Sequence, residues 1–262
     1  MRNIKLIIEY DGKGFNGWQK QPGKLNIQGE IERAIFEVTG EEVNLIASGR
    51  TDAGVHSLGQ TANFKMENNM PIEKIPLAIN SKLKKTIRVQ SAEEVDERFH
   101  SRYSCKGKKY RYIINNAPIE SAIYKDLQLH ISTKLDIEKM REAIKYFVGK
   151  YDFSSFKSSG TSSKNSIREI YKAEIIQEGN LIKIELTGSG FLYNMVRIIS
   201  GTLVDVGLGK IEPDSIPKII QSKDRGQAGK TLPPQGLYLV EVYYEWTIWI
   251  LKKIWHIIKT ML

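Results

Sequence analysis

KKYRYIIN, residues 108–115, alternates Tyr110, Tyr112 and Ile114 with Lys109, Arg111 and Ile113, the period of two that marks a half-buried β-strand. The segments downstream give the strand its weight. DIEKMREAIKYFVG (136–149) sets Ile137, Met140, Ile144 and Phe147 on one helical stripe that ends at Gly149. REIYKAEIIQ (168–177) and LIKIELT (181–187) flank Glu178-Gly179-Asn180, a hairpin turn signal. FLYNMVRIISGTLVDVG (191–207) and PDSIPKIIQSK (213–223) predict helices, and LYLVEVYY (237–244) a last strand. The same order already stands upstream. NIKLIIEY (3–10) alternates as a strand, and NIQGEIERAIFEVTG (26–40) is a helix with Asn26 to cap it and Gly40 to end it. VNLIA (43–47) and TANFKM (61–66) read as strands, PIEKIPLAINSKL (71–83) as a Pro-started helix and TIRVQSAEEV (86–95) as a closing strand. The repeated βαββαβ order predicts an α+β chain of two ferredoxin-like halves, residues 1–103 and 104–245, joined near 98–107. RNA-recognition modules share that topology. Sequence identity between the halves is slight, so two unrelated α/β domains fit the periodicity equally well.

Bulk properties narrow the partners. The 262 residues are 41% hydrophobic, enough for a large core or two smaller ones. A formal charge of +9 favours a polyanion, nucleic acid ahead of an acidic membrane surface. Cys105 is the single cysteine, which excludes an internal disulfide and fits a reducing, cytoplasmic setting. Glu9 and Asp11 interrupt the first residues before any signal-peptide core forms.

Two stretches break the repeat. GKYDFSSFKSSGTSSKNSIRE (149–169) is Ser-rich and basic and is expected to be a long mobile loop, solvated or touching phosphate. WTIWILKKIWHIIKTML (246–262) is amphipathic: Lys252, Lys253, His256 and Lys259 share one side and Leu251, Ile254, Trp255 and Ile258 the other. It is too short and too charged to span a bilayer comfortably, and suits packing on protein or contact with a membrane surface.

Chemistry is approached by subtraction. The four histidines, at 56, 100, 130 and 256, include no pair at zinc-ligand spacing. No GxxxxGK[ST] phosphate loop or GxGxxG turn occurs, and Gly188-Ser189-Gly190 lacks the rest of a nucleophile elbow. Neither a metal nor an organic cofactor is indicated. There remains SGRTDAGVH (48–56), where Asp52 lies between glycines at 49 and 54, two residues after Arg50 and four before His56. Glycines of this kind make a tightly shaped loop that another molecule can approach closely, although Asp beside Gly is also an ordinary turn. RFHSRYSCKGKKYRY (98–112) carries Arg98, Arg102, Lys106, Lys108, Lys109 and Arg111 with four aromatics and no acid. Cations for phosphates and rings for unstacked bases suit RNA; a solvated basic strand with core tyrosines is the plainer reading.

SGRTDAGVHSLGQ resembles, nearly residue for residue, the signature of the TruA family of tRNA pseudouridine synthases. Its companions follow in family order: IEYDGKGFNGWQKQP, NIQGEIERAI, RFHSRYSCKGKKYRYII, DFSSF, FLYNMVRIISGTL and GLYLVEVYYE. The likeness runs from about residue 2 to residue 245. It implies the pseudouridine synthase fold, two like halves sharing a continuous, mostly antiparallel sheet with helices packed on it and the active cleft between them. It also implies isomerisation of uridine in the anticodon arm of tRNA, at positions 38, 39 and 40, by a homodimer that needs no metal or organic cofactor. On matching positions, Asp52 is expected as the catalytic aspartate, Arg197 of NMVRI as the cation that pairs with it and keeps it ionised, and Tyr110 as the ring stacked on the uracil. Leu237 of GLYL is expected as a lid on the base, and Arg50 as a residue that extrudes the uridine or holds RNA. A non-catalytic protein with tandem RNA-recognition halves would explain the charge but not Asp52, and no RNP1 pattern occurs. A metal-dependent phosphohydrolase would need a second acid or a His cluster that GRTDAGVH does not supply. The tail 246–262 matches no family motif.

Overall fold

Strand alternation in β1 (Arg2–Tyr10) turns Ile4, Leu6, Ile8 and Tyr10 inward, each at most 2% exposed, as the period of two requires. The chain is described here from a computed structural model covering residues 1–160 and 165–245. After β1 come α1 (Ile27–Thr39), the short β2 (Ile46–Ala47), β3 (His56–Met66), α2 (Ile75–Lys82) and β4 (Ile87–Val95). The caps of α1 are those its sequence announces. Asn26 accepts the Gly29 N–H at 2.8 Å, and Gly40, at φ 77°, closes the last turn onto Phe36. β4, β1, β3 and β2 pair in that spatial order, the ferredoxin-like arrangement.

The order recurs. β5 (Gly107–Asn115) leads through the short β6 (Leu129–His130) to α3 (Ile137–Ile144) and β7 (Gly149–Asp152). β8 (Ile167–Glu178), β9 (Leu181–Gly188), α4 (Met195–Gly207), α5 (Ile216–Ser222) and β10 (Leu237–Tyr243) complete it. Spatially β10, β5, β9 and β8 repeat the first set, with β7 added at the edge. β10 is also the seam. It pairs antiparallel with β5 and, at Tyr238–His56 and Leu239–Ser57, parallel with β3, so one mostly antiparallel sheet runs through both sets. Registers carry a single row of cross-strand partners across that seam, Tyr10, Ser57, Leu239, Tyr110 and Leu186, which therefore share one face, and all five are buried. The helices cover this face over two cores, one around Ile4, Ile31, Ile35 and Phe64, the other around Phe147, Met195, Ile198 and Leu203.

Several element boundaries differ from the sequence expectation. The helix expected over 136–149 ends at Ile144, and a 3-10 turn over Lys145–Phe147 swings Phe147 against Phe156, ring centroids 5.2 Å apart. The helix expected from 191 begins at Met195, because Asn194 adopts φ 60° and ends the preceding turn. β3 starts five residues earlier than expected, at His56. The stretch 149–169, expected as a loop, opens with β7, which pairs with β8, and continues into a 3-10 turn over Ser154–Phe156. Phe153 and Phe156 are fully buried there, so two aromatic anchors override the serine-rich composition. Residues 161–164 and the amphipathic tail 246–262 lie outside the described residues.

A core assignment for Phe153 has a measurable consequence. Phe153→Ala should lower unfolding stability by about 3–5 kcal/mol in urea titration, the cost of an aromatic cavity. A loss below ~1 kcal/mol would return this segment to the solvated loop that its composition suggests.

Candidate active site

The loop from Ser48 to Val55 joins β2 to β3 where β10 docks on β3. Its shape is set residue by residue. Gly54 takes φ 76°, which lets the Val55 N–H reach back to the Asp52 carbonyl at 3.2 Å. Gly12 lies so close beneath that a side-chain carbon there would sit 2.1 Å from the Val55 carbonyl oxygen. Thr51 is held twice, by the Trp18 N–H on its carbonyl at 3.0 Å and by the Tyr10 hydroxyl on its Oγ1 at 2.7 Å. Lys108 reaches from β5 to donate to the Ser48 carbonyl at 2.7 Å, and Gln60 donates to that of Gly49 at 2.9 Å. Asp52 is thereby presented by a rigid loop, with 34% of its side chain exposed.

The opposing cation comes from the other set of elements. Arg197 stands in the first turn of α4, its Nη1 4.0 Å from Asp52 Oδ2. Two acceptors aim it: its Nε donates to the Leu232 carbonyl at 2.6 Å and its Nη1 to Asn194 Oδ1 at 2.7 Å. Burial raises the Asp52 pKa, and the Arg197 charge pulls it back only in part. Without substrate, desolvation outweighs the guanidinium, so the net shift of the carboxyl is upward while the Arg197 charge acts in the expected sense, toward the ionised form.

Tyr110 lies in the row beneath, 9% exposed, with Phe191 edge-on at 5.1 Å. Burial, reinforced by Tyr10 and Asp52, pushes its phenol far above the usual range, so the ring keeps its proton at neutral pH. Leu237, at the start of β10 opposite Tyr112, is 6% exposed. Arg50 is exposed and makes no ion pair among the described residues. Asp52, Arg197 and Tyr110 thus converge across the seam, with Arg50 on the exposed rim of the same loop.

The protein-family model described as tRNA pseudouridine synthase matches residues 6–104 and 143–245. Over 244 residues the chain is 52% identical to tRNA pseudouridine synthase A of Acetivibrio thermocellus and 53% to that of Caldicellulosiruptor saccharolyticus. Each alignment covers 93% of this chain and all of the relative. The chain belongs to the tRNA pseudouridine synthase family. Members are isomerases acting on uridine in tRNA, and the ten-stranded sheet with its helices is the pseudouridine synthase fold. A solved archaeal box H/ACA sRNP Nop10–Cbf5 complex aligns with 90% of this chain and 45% of that chain at 12% identity, with a TM-score of 0.35, too slight a likeness to argue from.

For a tRNA pseudouridine synthase the basic segment 98–112 is less free than its composition suggests. Lys109 and Arg111 both pair with Glu185, which is 3% exposed; burial would raise that carboxyl, but the two cations hold it below its ordinary range. Lys108 is spent on the Asp52 loop, and Tyr112 is core. Sequence reasoning did not find the Tyr10–Thr51 bond or the Lys108 strut. Both are long-range contacts, and only the inward phase of Tyr10 and Lys108 in their strands hinted at them. His56 is likewise structural: it is 2% exposed, stacks on Tyr238 at 4.8 Å, and has Nδ1 3.1 Å from the Gly12 amide.

A carboxyl-selective NMR titration should place the Asp52 midpoint above that of an exposed aspartate, and higher again in Arg197→Met, where the lowering charge is gone. A midpoint at or below the ordinary value, unmoved by Arg197→Met, would contradict this electrostatic description.

Proposed function

We propose that this protein isomerises uridine to pseudouridine in the anticodon arm of tRNA, at positions 38, 39 and 40, with Asp52 as its catalytic carboxylate. It works as a cytoplasmic homodimer and needs no metal or organic cofactor, and its active cleft lies between halves 1–103 and 104–245. The observation that carries the reading is the Asp52 carboxylate held at the seam, 4.0 Å from Arg197, within the family's signature loop. The chemistry asks little else. Uracil leaves C1′ from N1, turns, and rejoins through C5, while a proton leaves C5 and N1 ends protonated, so no atom enters from another reactant. A carboxylate serves by attacking C1′ or by abstracting a proton to give a glycal-like intermediate. Both routes need Asp52 ionised and near the ribose.

The remaining roles follow from position. A target base stacked in an arm must swing out, at a cost of a few kcal/mol that stacking on Tyr110 and phosphate contacts offset. Arg50, exposed on the same loop, meets the RNA as it opens. Leu237, buried at the start of β10, is the lid on the base. Tyr110 acts through its ring, and the proton leaving C5 goes to Tyr110 or to water.

Tritium release from 5-tritiated uridine in tRNA tests this directly. Asp52→Asn should lose roughly 10³-fold or more in rate while still binding tRNA, and full turnover would end the assignment. The variant should be at least as stable as the parent at pH 7. A carboxyl whose folded pKa is raised favours the fold when protonated, and loses that contribution as pH rises through its folded value. By the same sign, the rate should fall as pH drops through the raised Asp52 pKa, at a higher pH than an exposed aspartate would dictate. Tyr110→Phe should keep most of the rate and Tyr110→Ala should not; equal losses would assign the phenol a proton role. Mapping pseudouridines in tRNA from cells with and without the gene checks the positions.

A further inference from the structure

We infer that Ser158 and Asn194 form a tether that holds the Arg197 guanidinium back from Asp52, which makes both of them positioning residues for the reaction. The inference rests on the reading of Asp52 as the catalytic carboxylate. Asn194 stands at the N-terminus of α4, where an asparagine ordinarily accepts a backbone N–H of the first turn. Its side chain makes no such bond. With φ at 60°, its Oδ1 is given instead to Arg197 Nη1, three residues on, at 2.7 Å.

The carboxamide is held at both ends. A guanidinium has only donors, so Asn194 must turn its oxygen to Arg197 and find an acceptor elsewhere for its own NH₂. Ser158 supplies it, with Asn194 Nδ2 donating to the Ser158 Oγ at 3.0 Å. The Ser158 N–H also donates to the Tyr193 carbonyl at 3.2 Å, so backbone and side chain are both joined to the turn ahead of α4. Ser158 is itself delivered by the core. Phe153 and Phe156 just before it are fully buried, and the Ser155 hydroxyl donates to the Ile219 carbonyl of α5 at 2.6 Å. Contacts thus run from α5 through this segment to Asn194 and Arg197.

What the tether opposes is attraction. Arg197 Nη1 lies 4.0 Å from Asp52 Oδ2, beyond hydrogen-bond range, although a carboxylate is a stronger acceptor than a carboxamide. Only 15% of the Arg197 side chain is exposed, so a donor released from Asn194 has little water to turn to and closes on Asp52. The Nε bond to the Leu232 carbonyl is by itself a pivot; the second bond, to Asn194, fixes the plane of the guanidinium. Held off in this way, Arg197 lends Asp52 its field and leaves the carboxylate oxygens free for the ribose.

The sign of the Asp52 titration tests this. Arg197 of α4 is the charge that acts on Asp52, and the Tyr110 phenol of β5 keeps its proton. In the free enzyme, carboxyl-selective NMR should show the Asp52 midpoint falling in Asn194→Gly, which tolerates the positive φ, and in Ser158→Ala. That is the reverse of the rise expected in Arg197→Met. Tritium release from tRNA should drop about fivefold or more in kcat for Ser158→Ala, and further for Asn194→Gly, with KM within about twofold of the parent. Ser158→Thr, which keeps the hydroxyl, should match the parent. Because the two residues act in series, Ser158→Ala added to Asn194→Gly should cost nothing more. An unmoved or raised midpoint in both variants, a loss confined to KM, or full additivity in the double variant would overturn the tether. If the parent releases no tritium, the isomerase reading fails while the Asp52 midpoints still decide this one.

Discussion

The pairing of β10 with strands on both sides is the constraint from which the geometry of the site follows. β10 is last in the described chain, yet its neighbours are β5, which opens the second set of elements, and β3, which belongs to the first. Its fit on β3 is tight: the Ser57 hydroxyl donates to the Leu239 carbonyl at 3.1 Å, and a side-chain carbon at Gly59 would sit 2.6 Å from the Val240 oxygen. The residues just before β10 do the rest. Leu232 supplies the carbonyl that aims Arg197, Pro234 packs on Gly54 of the Asp52 loop, and Gly236 lies against Tyr112. One short run therefore touches the carboxylate's loop, its cation and the floor between them.

Positive charge is divided between two tasks. Part of it is internal: Glu185, buried on β9, takes Lys109 and Arg111 together, which spares the sheet an unpaired buried carboxylate. Lys108 is internal as well, with burial lowering its pKa while it braces the Ser48 carbonyl. The charge left for a polyanion is therefore more focused than the net value suggests. Arg50 on the loop that carries Asp52, and Arg98, Arg102 and Lys106 in the turn before β5, are the exposed cations of these two segments.

Much of this was legible in the sequence, and the limits have physical causes. Local signals held: alternation in 3–10 and 108–115, the Asn26 and Gly40 ends of α1, and the repeated element order all depend on neighbours within a few residues. The signature around Asp52 marked the loop through its own glycines, whereas the contacts that brace it come from Tyr10, Trp18 and Lys108, far away in the sequence. Non-local choices were hidden. Alternation puts Lys109 and Arg111 on one side of β5 but cannot say that Glu185 stands across from Arg111 in the β9 register. Composition misled at 149–157, where Ser155 is itself fully buried and donates to the Ile219 carbonyl at 2.6 Å, and Phe153 and Phe156 decide where the chain goes. Nor does a strand pattern state which partner β10 selects.

The 4.0 Å separation of Asp52 and Arg197 also bears on the chemistry proposed here. A closer, bidentate pair would occupy the carboxylate oxygens and hold its pKa low, making a poor nucleophile or base. Arg197 instead directs donors at Leu232 and Asn194, which fixes it at a distance and leaves Asp52 with free lone pairs. At such a spacing two unit charges attract by ~1 kcal/mol in bulk water and ~4 kcal/mol at an effective dielectric near 20. RNA seated over a partly open carboxylate expels water and moves the pair from the first regime toward the second. Desolvation grows in the same step, so the guanidinium must be fixed beforehand if the ionised form is to persist when the ribose arrives. An arginine aimed by two acceptors of its own meets that requirement, whereas one free to wander would pair with phosphate instead.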